Sequence, residues 1–234
     1  MVAKLYNCLS GEHSLLSRGQ LSYLHLNLTL RINRAVISLM ANLDRAPSRG
    51  MPNLVHILPA FADEQRQRLN SIIELNSSTI NKYELITETG HLKLDRVGYS
   101  SLAYPFAYGC IPRTWDEDND PLDIEIVGVT EPLVPGSVVE ARIIGIMSFE
   151  DSGEVDDKII SVLADDKRMD HITSYEQLGN HWREATQYYW EHYKDLKRPG
   201  TCHVTGFFDI DAAVKAIKAC EDRYMKEIDP KLVA

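Results

Sequence analysis

The sequence predicts an α+β fold that is mainly β, in which helices pack on a small barrel or curled sheet. Two observations support this prediction. Short runs rich in valine and isoleucine follow one another from about residue 71, and longer segments with helical signals begin after residue 173. Strands that come first and helices that come after are typical of this class. With 234 residues, of which 44% are apolar, the chain is long enough to bury a substantial core.

Seven segments have the composition and length of strands. They are residues 71–75, 82–86, 91–97, 121–129, 136–147, 158–164 and 202–208. The second and third are joined by the sequence TETG, whose Gly90 suits a hairpin turn. Proline and glycine separate most of the others, as expected for chain reversals between strands.

Two helices are predicted near the carboxyl end. Ser174 followed by Gln177 is a capping box, and we expect the helix that it starts to run to Leu196, before Pro199 and Gly200. Asp211 is the expected cap of a last helix. Its predicted buried face consists of Val214, Ile217, Tyr224 and Met225.

Residues 1–50 differ from the rest in charge. They carry a net charge of +4, whereas the remaining 184 residues carry −13. An arginine-rich, acid-poor segment with six serines hints at a transit peptide, but apolar and polar residues alternate over residues 24–32 as in a strand. We expect residues 1–50 to be an extension, a transit peptide or the product of an upstream start codon, in each case outside the catalytic fold, and a functional domain to occupy residues 51–234.

Composition excludes several classes of partner. The net charge of −9 gives no indication of nucleic acid or an anionic membrane surface. No run of 18 residues lacks a charge, so we expect no transmembrane helix. The four cysteines are scattered without a CxxC pair, which predicts a reduced, cytoplasmic protein rather than a disulfide or zinc framework.

Six acidic residues lie within the eleven-residue segment DEDNDPLDIEI, residues 116–126. A solvated acidic loop is the simplest interpretation. A calcium-binding EF-hand loop is excluded, because Pro121 stands where that loop needs glycine and Val127 where it needs glutamate. The third interpretation is a site for a hard metal ion. Pro121 bends the chain before a strand on which Asp123 and Glu125 share one face, and oxygen ligands alone select Mg²⁺ or Mn²⁺.

A second acidic segment, EDSGEVDDK, strengthens the third interpretation. Asp151, Asp156 and Asp157 flank a predicted turn at Gly153–Glu154, and Lys158 follows them. Such a hairpin is more often a solvated turn when it occurs alone. Two carboxylate clusters at the ends of neighbouring strands could, however, hold more than one metal ion.

Phosphoryl chemistry also needs cations that bind the outer oxygens of the substrate. Lys82 and Arg96 lie in the predicted hairpin, and Lys158 opens another strand. Each is weak evidence alone, because basic residues in strands usually face solvent. Core packing is likewise the ordinary interpretation of Tyr104, Tyr108 and Tyr193.

Taken together, these segments resemble family I soluble inorganic pyrophosphatases. Residues Asp118–Asp123 match the family signature. That signature consists of two aspartates that flank a small or polar residue, followed by proline, an apolar residue and a third aspartate. The segments NKYEL, LDRV, YPFAYG, DSGEVDDK and EHYKDL resemble other family segments and occur in family order. The resemblance covers about residues 54–226. Asn119 departs from it, since glycine is usual there, but asparagine tolerates a left-handed backbone.

The resemblance implies Mg²⁺-dependent hydrolysis of pyrophosphate to two phosphates by a metal-bound hydroxide, with several Mg²⁺ ions per site and Mn²⁺ as a substitute. Asp120 would be the catalytic proton acceptor. The implied metal ligands are Asp118, Asp123, Asp151, Asp156 and Glu74. The implied substrate-binding residues are Lys82, Glu84, Arg96, Tyr104, Tyr108, Lys158, Tyr193 and Lys194.

The resemblance further implies a closed five-stranded OB-like barrel with flanking helices, and a homo-oligomer that in bacterial-type members is commonly a hexamer. Pyrophosphate would be the only partner besides other copies of the chain, with no nucleic acid or membrane. Two alternatives remain open at this point: another Mg²⁺-dependent phosphohydrolase that acts on nucleotides or phosphoesters, and an inactive relative that serves as a scaffold.

Overall fold

The computed structural model describes residues 53–230, and within this range it contains ten strands and three α-helices. The helices are α1 (Leu54–Ile57), α2 (Asn180–His192) and α3 (Ile210–Glu227). The strands are β1 (Phe61–Asp63), β2 (Arg68–Leu75), β3 (Asn81–Ile86), β4 (His91–Val97), β5 (Ala107–Cys110), β6 (Asp123–Val127), β7 (Val138–Asp151), β8 (Glu154–Val155), β9 (Lys158–Leu163) and β10 (Cys202–Phe208). The predicted α+β class, mainly β, is confirmed. The predicted extension, residues 1–50, lies outside the described residues.

Five strands pair in a closed cycle. β2 pairs with β5, β5 with β6, β6 with β9, β9 with β7, and β7 again with β2. The pairing of β6 with β9 is parallel and the other four are antiparallel. β1 extends the sheet beside β2, and both β8 and β10 pair with β7, while β3 and β4 form a separate hairpin.

The alternation predicted for β6 places its residues in two different cores. Leu122, Ile124 and Ile126 are fully buried in an aliphatic cluster to which α3 contributes Ile217. The opposite side of the sheet packs on α2 through an aromatic cluster. Its largest members are Tyr104, Phe106, Tyr108, Phe149, Tyr189 and Trp190. A strand with both faces covered holds its polar side chains rigidly, which is what a functional site requires.

The prediction of one helix from Ser174 to Leu196 is wrong in its bounds. Tyr175–Leu178 is a 3-10 turn, and α2 begins only at Asn180. Gly179 separates the two with φ +86°, a left-handed conformation that an α-helix cannot contain. Gln177 does accept a hydrogen bond from the Ser174 amide (3.1 Å), so the capping residues act on the short turn instead.

The cap of the last helix is Asp209 and not Asp211. The Asp209 side chain accepts a hydrogen bond from the Ala212 amide (3.0 Å), and Asp211 lies inside the first turn. Both aspartates precede the same apolar face, so the sequence alone did not distinguish them. Ile217 and Tyr224 are buried as predicted, whereas Met225 is about half exposed. Within residues 53–230, none of the helices has the length and apolar character needed to cross a membrane.

Candidate active site

The acidic loop before β6 is a tight turn closed by its own backbone. The Asp116 amide donates to the Asp120 carbonyl (2.7 Å), and the Asp120 amide donates to the Asp118 side chain (3.1 Å). Asn119 has φ +68°, the left-handed conformation that asparagine tolerates better than most side chains. The turn therefore presents Asp118 and Asp120 on one side, immediately before Asp123.

Residues of α3 hold this loop from behind. Arg223 Nη1 donates to the Trp115 carbonyl (2.7 Å) and lies 3.4 Å from the buried Asp116 carboxylate. Its Nη2 donates to Glu117 (3.1 Å), and the Cys220 thiol lies 3.5 Å from Asp116. Asp116 thus serves to anchor the loop, whereas Asp118 and Asp120 face the opposite way.

The parallel pairing of β6 and β9 brings the two acidic segments together. Asp123 and Lys158 are register partners at the start of their strands. Lys158 Nζ contacts Asp123 Oδ2 (2.5 Å) and also Asp156, and the Tyr108 hydroxyl donates to the same Asp123 oxygen. Lys158 is 1% exposed. Burial acts to lower its pKa, but the two carboxylates outweigh burial and raise the pKa, so the ammonium stays charged.

Asp151 ends β7 on the far side of the same site. The turn after it is formed by Ser152 and Gly153, both with positive φ, so the turn predicted at Gly153–Glu154 lies one residue earlier. Lys194, just after α2, forms an ion pair with Asp151. Although burial opposes the effect, the hydrogen bond from Lys194 lowers the pKa of Asp151 below its usual range.

The hairpin of β3 and β4 supplies the opposite wall. Lys82 and Arg96 are cross-strand partners, so their side chains emerge from the same face of the hairpin. Lys82 Nζ lies 2.8 Å from Glu84, and Arg96 pairs with its neighbour Asp95 at 2.5 Å. The loop and the hairpin thus bring carboxylates and cations to one place.

These groups line one polar cavity of about 480 Å³. Twelve of the fourteen predicted site residues form its wall: Lys82, Glu84, Arg96, Tyr108, Asp118, Asp120, Asp123, Asp151, Asp156, Lys158, Tyr193 and Lys194. The other two, Glu74 and Tyr104, lie beneath the wall, 5% and 4% exposed. Glu74 accepts a hydrogen bond from the Leu85 amide (2.8 Å), and burial, together with the charge of Asp123, raises its pKa.

Eight further residues line the cavity that were not among the predicted site residues. They are Leu85, Ile86, Thr87, Glu88, Lys93, Asn119, Glu154 and Trp190. Lys93 could have been found, because it is the cross-strand partner of Glu84 in the predicted hairpin. Trp190 precedes Tyr193 by three positions and so lies on the same side of α2. An aromatic residue in an amphipathic helix ordinarily indicates core packing, so the sequence did not indicate that Trp190 also lines the cavity.

The carboxylates in the cavity exceed the cations that contact them. Burial, together with Asp156 and Asp123, raises the pKa of Asp118 to about 7. Burial, together with Asp123 and Asp118, raises the pKa of Asp120 to about 8, and Glu74 behaves in the same way. Like charges held this close make the ionised forms unfavourable, and a bound cation would relieve that cost.

The donor set fits Mg²⁺ in chemistry, since it consists only of carboxylate oxygens. As the side chains are placed, however, no three of the histidine, cysteine, aspartate and glutamate residues between 53 and 230 converge closely enough to share one ion. Lys158 contacts Asp123 and Asp156 instead. A metal ion that bound here would share these two carboxylates with the lysine.

Comparison with known proteins gives consistent matches to one family. Residues 71–225 match the family described as inorganic pyrophosphatase. Soluble inorganic pyrophosphatase 3 of Arabidopsis thaliana is 42% identical over 159 residues, which are 68% of this chain and 73% of that protein. An inorganic pyrophosphatase of Thermus thermophilus is 40% identical over 164 residues, 69% of this chain and 93% of that protein.

Solved structures agree. The crystal structure of an inorganic pyrophosphatase from Neisseria gonorrhoeae covers 73% of this chain and 98% of its own, with a TM-score of 0.70 and 35% identity. That of the Thermus thermophilus inorganic pyrophosphatase covers 74% of this chain and 99% of its own, with a TM-score of 0.68 and 38% identity.

Proposed function

This chain belongs to the inorganic pyrophosphatase family and is an enzyme of that class, and from this premise we propose that the cavity hydrolyses pyrophosphate to two phosphates with the aid of Mg²⁺. One observation carries the proposal. Carboxylates face cationic side chains across one cavity, as hydrolysis of a polyanion requires. These carboxylates come from the start of β6, from the end of β7 and from the residues just before β9.

The cations have a defined task. Lys82, Arg96 and Lys194 would bind the outer oxygens of pyrophosphate, with the hydroxyl of Tyr193 as a further donor. The Tyr108 hydroxyl would also donate to substrate once it released Asp123, because a phenol has one proton to donate. Lys158 would stabilise the negative charge that develops on the departing phosphate, because it is held charged in a buried position where electrostatic interactions are strong. Glu84 orients Lys82 through their contact at 2.8 Å, and Tyr104 supports the wall beneath them.

Asp120 is the proposed proton acceptor. It lies in the middle of the acidic loop, and its position between Asp118 and Asp123 favours uptake of a proton from an attacking water. Asp118, Asp123, Asp151 and Asp156 would hold Mg²⁺, and Glu74 would act on it from beneath the wall. When bound, Mg²⁺ would lower the pKa of a neighbouring water towards neutrality, so that hydroxide would be available as the nucleophile.

We also propose that the five strands form the closed OB-like barrel that the resemblance implies, a proposal that their cyclic pairing supports. The chain assembles into a homo-oligomer, with a hexamer as the first arrangement to test. Its location is the cytoplasm, as the scattered cysteines predict.

A comparison of substrates tests the function. Release of phosphate from pyrophosphate, ATP and p-nitrophenyl phosphate is measured at one Mg²⁺ concentration with the full chain. We expect rapid hydrolysis of pyrophosphate and little of the other two. Preference for ATP would indicate a nucleotide hydrolase, and absence of turnover with all three substrates would indicate an inactive relative.

A further inference from the structure

A further acidic residue of β6, Glu125, lies outside the cavity and has no part in the chemistry proposed above. Its side chain is completely buried among the aromatic residues that α2 packs on the sheet. Trp190 Nε1 donates a hydrogen bond to Glu125 Oε1 at 2.6 Å. The other oxygen, Oε2, is buried and has no hydrogen-bond partner among the described residues. A leucine at this place would bury no polar group, so the glutamate is costly for stability alone.

The partner of Glu125 connects it to the cavity. Trp190 belongs both to the aromatic cluster and to the cavity wall. Lys158 Nζ lies 5.2 Å from the centroid of the Trp190 ring, and the rings of Phe149 and Tyr108 lie at 5.5 Å and 6.0 Å from the same nitrogen. Three aromatic rings therefore surround the ammonium, and cation–π attraction favours this position over others that the flexible lysine could take.

We propose that Glu125 is a positioning residue for the hydrolytic site. By accepting the indole N–H, it fixes the orientation of the Trp190 ring, which in turn fixes Lys158 between Asp123 and Asp156. This inference rests on the proposed function, since Lys158 and the two carboxylates are the groups through which Glu125 acts. Glu125 itself touches neither substrate nor metal.

The orientation of the ring matters because the attraction is directional. A cation is attracted to the face of an indole and not to its edge. If the ring turned, Lys158 would keep its charge partners but lose its fixed distance from them. Residues that orient the direct ligands of a metal site typically contribute ~10- to 100-fold to affinity or activity when they are replaced.

Three variants and one control distinguish this positioning role from a merely structural one. Glu125→Gln keeps an acceptor for the indole N–H, whereas Glu125→Leu removes it and leaves that N–H unpaired. Glu125→Leu combined with Trp190→Phe removes both partners, which restores a fully satisfied core. Glu191→Gln is the matched control, because Glu191 is the sequence neighbour of Trp190 but accepts its hydrogen bonds from Gln187 (3.0 Å) and from the Val204 amide (3.4 Å), and glutamine keeps an acceptor for both.

The kinetic readout is the turnover number together with the Mg²⁺ concentration for half-maximal pyrophosphate hydrolysis. We expect Glu125→Gln and Glu191→Gln to stay within about threefold of the unaltered chain. Glu125→Leu should reduce turnover ~10- to 100-fold and change the Mg²⁺ requirement. The variant that combines Glu125→Leu with Trp190→Phe should regain the thermal midpoint of the unaltered chain but not its turnover number. Partial unfolding would lower turnover without changing the Mg²⁺ requirement, so loss in that pattern would overturn the proposal.

A second readout does not depend on activity. The indole N–H resonance of Trp190, assigned with Trp190→Phe, should move in Glu125→Leu and stay nearly in place in Glu125→Gln. An unmoved resonance in Glu125→Leu, or equal losses of turnover in the Leu and Gln variants, would show that the proposal is wrong. If the unaltered chain does not hydrolyse pyrophosphate, the proposed function fails, and the resonance alone then decides whether Glu125 orients Trp190.

Discussion

Asp120 shares a tight turn with Asp118 and lies next to Asp123 in space. Replacement by asparagine keeps the size of the side chain but removes its ability to accept a proton. A positioned general base contributes ~10² to 10⁴ in rate, so we expect Asp120→Asn to reduce pyrophosphate turnover at least ~10²-fold at saturating Mg²⁺. Asp222→Asn, which changes an exposed aspartate on α3, is the control. Turnover near that of the unaltered chain in Asp120→Asn would remove Asp120 from its proposed role.

Asp118 and Asp156 come from different segments but line the same cavity, where burial and then the charge of Asp156 raise the pKa of Asp118. If both are metal ligands, Asp118→Ala or Asp156→Ala removes one donor and leaves a site that holds Mg²⁺ less tightly. We expect Mg²⁺ titrations of hydrolysis to shift to higher concentration in both variants. Unchanged titration curves would instead favour the solvated-turn interpretation of the two segments.

The grouping of individual site residues in one place was the most predictable part of the molecule. Asp118, Asp120 and Asp123 stand in one short motif, and their spacing alone places them on a loop and the strand that follows. Glu74 and Tyr104 are different. The resemblance implies their roles as site residues. It does not predict their position beneath the cavity wall, because that position depends on how β2 packs under the β3–β4 hairpin, and no local sequence pattern contains this information.

At the level of elements, α3 acts as the support of the acidic loop. Arg223 contacts Trp115, Asp116 and Glu117 with one guanidinium group, and planar multidentate contacts of this kind are specific to arginine. Arg223→Met would leave the buried Asp116 carboxylate without its cation. We expect the Mg²⁺ requirement to rise several-fold and the thermal midpoint to fall. Lys215→Met, which changes an exposed cation on the same helix, is the control.

The result for Arg223→Met also shows which contacts hold the acidic loop before β6 in place. If Arg223→Met and Lys215→Met both behave like the unaltered chain, the turn is maintained by its own hydrogen bonds and α3 is not needed to support it. Arg223→Lys is informative in addition. It keeps the charge but not the planar group, so an intermediate Mg²⁺ requirement is expected.

Element boundaries were predicted less well than element types. β5 was missed because its four residues, AYGC, are all buried and show no alternation. Gly179 was not recognised as the break before α2, since the capping residues Ser174 and Gln177 gave a stronger signal for a helix start. Both errors concern residues whose conformation is set by packing. β5 lies between β2 and β6. Its Gly109 approaches the backbone of Ile72 more closely than any side chain would allow.

On the scale of the whole molecule, the order of the strands could not be predicted. The sequence shows neighbours along the chain, but the site depends on the parallel pairing of β6 with β9, which are separated by β7 and β8. Long-range pairings of this kind follow from the fit of the complete fold and not from local propensity. The resemblance implies a closed five-stranded barrel, but it did not lead us to the order of the strands.

A prediction about residues 1–50 belongs to the same scale. Every proposed site residue lies between 74 and 194, and the match to the pyrophosphatase family covers residues 71–225. We therefore expect a chain that begins at Met51 to fold, to keep its thermal midpoint within a few degrees, and to hydrolyse pyrophosphate at the full-length rate. An insoluble or inactive shortened chain would show that residues 1–50 are part of the fold. Mass spectrometry of the natural protein would show whether they are removed after synthesis.

The most direct measurement is the initial rate of phosphate release from pyrophosphate as a function of free Mg²⁺. The full chain is assayed in a chelator, and then again after Mg²⁺ has been restored in excess. Because the cavity contains more carboxylates than its cations neutralise, we predict a negligible rate in the chelator, a saturable increase with Mg²⁺, and full recovery on restoration. Undiminished hydrolysis in the chelator, or folded protein that releases no phosphate at any Mg²⁺ concentration, would contradict the assignment of this cavity as a magnesium-dependent pyrophosphatase site.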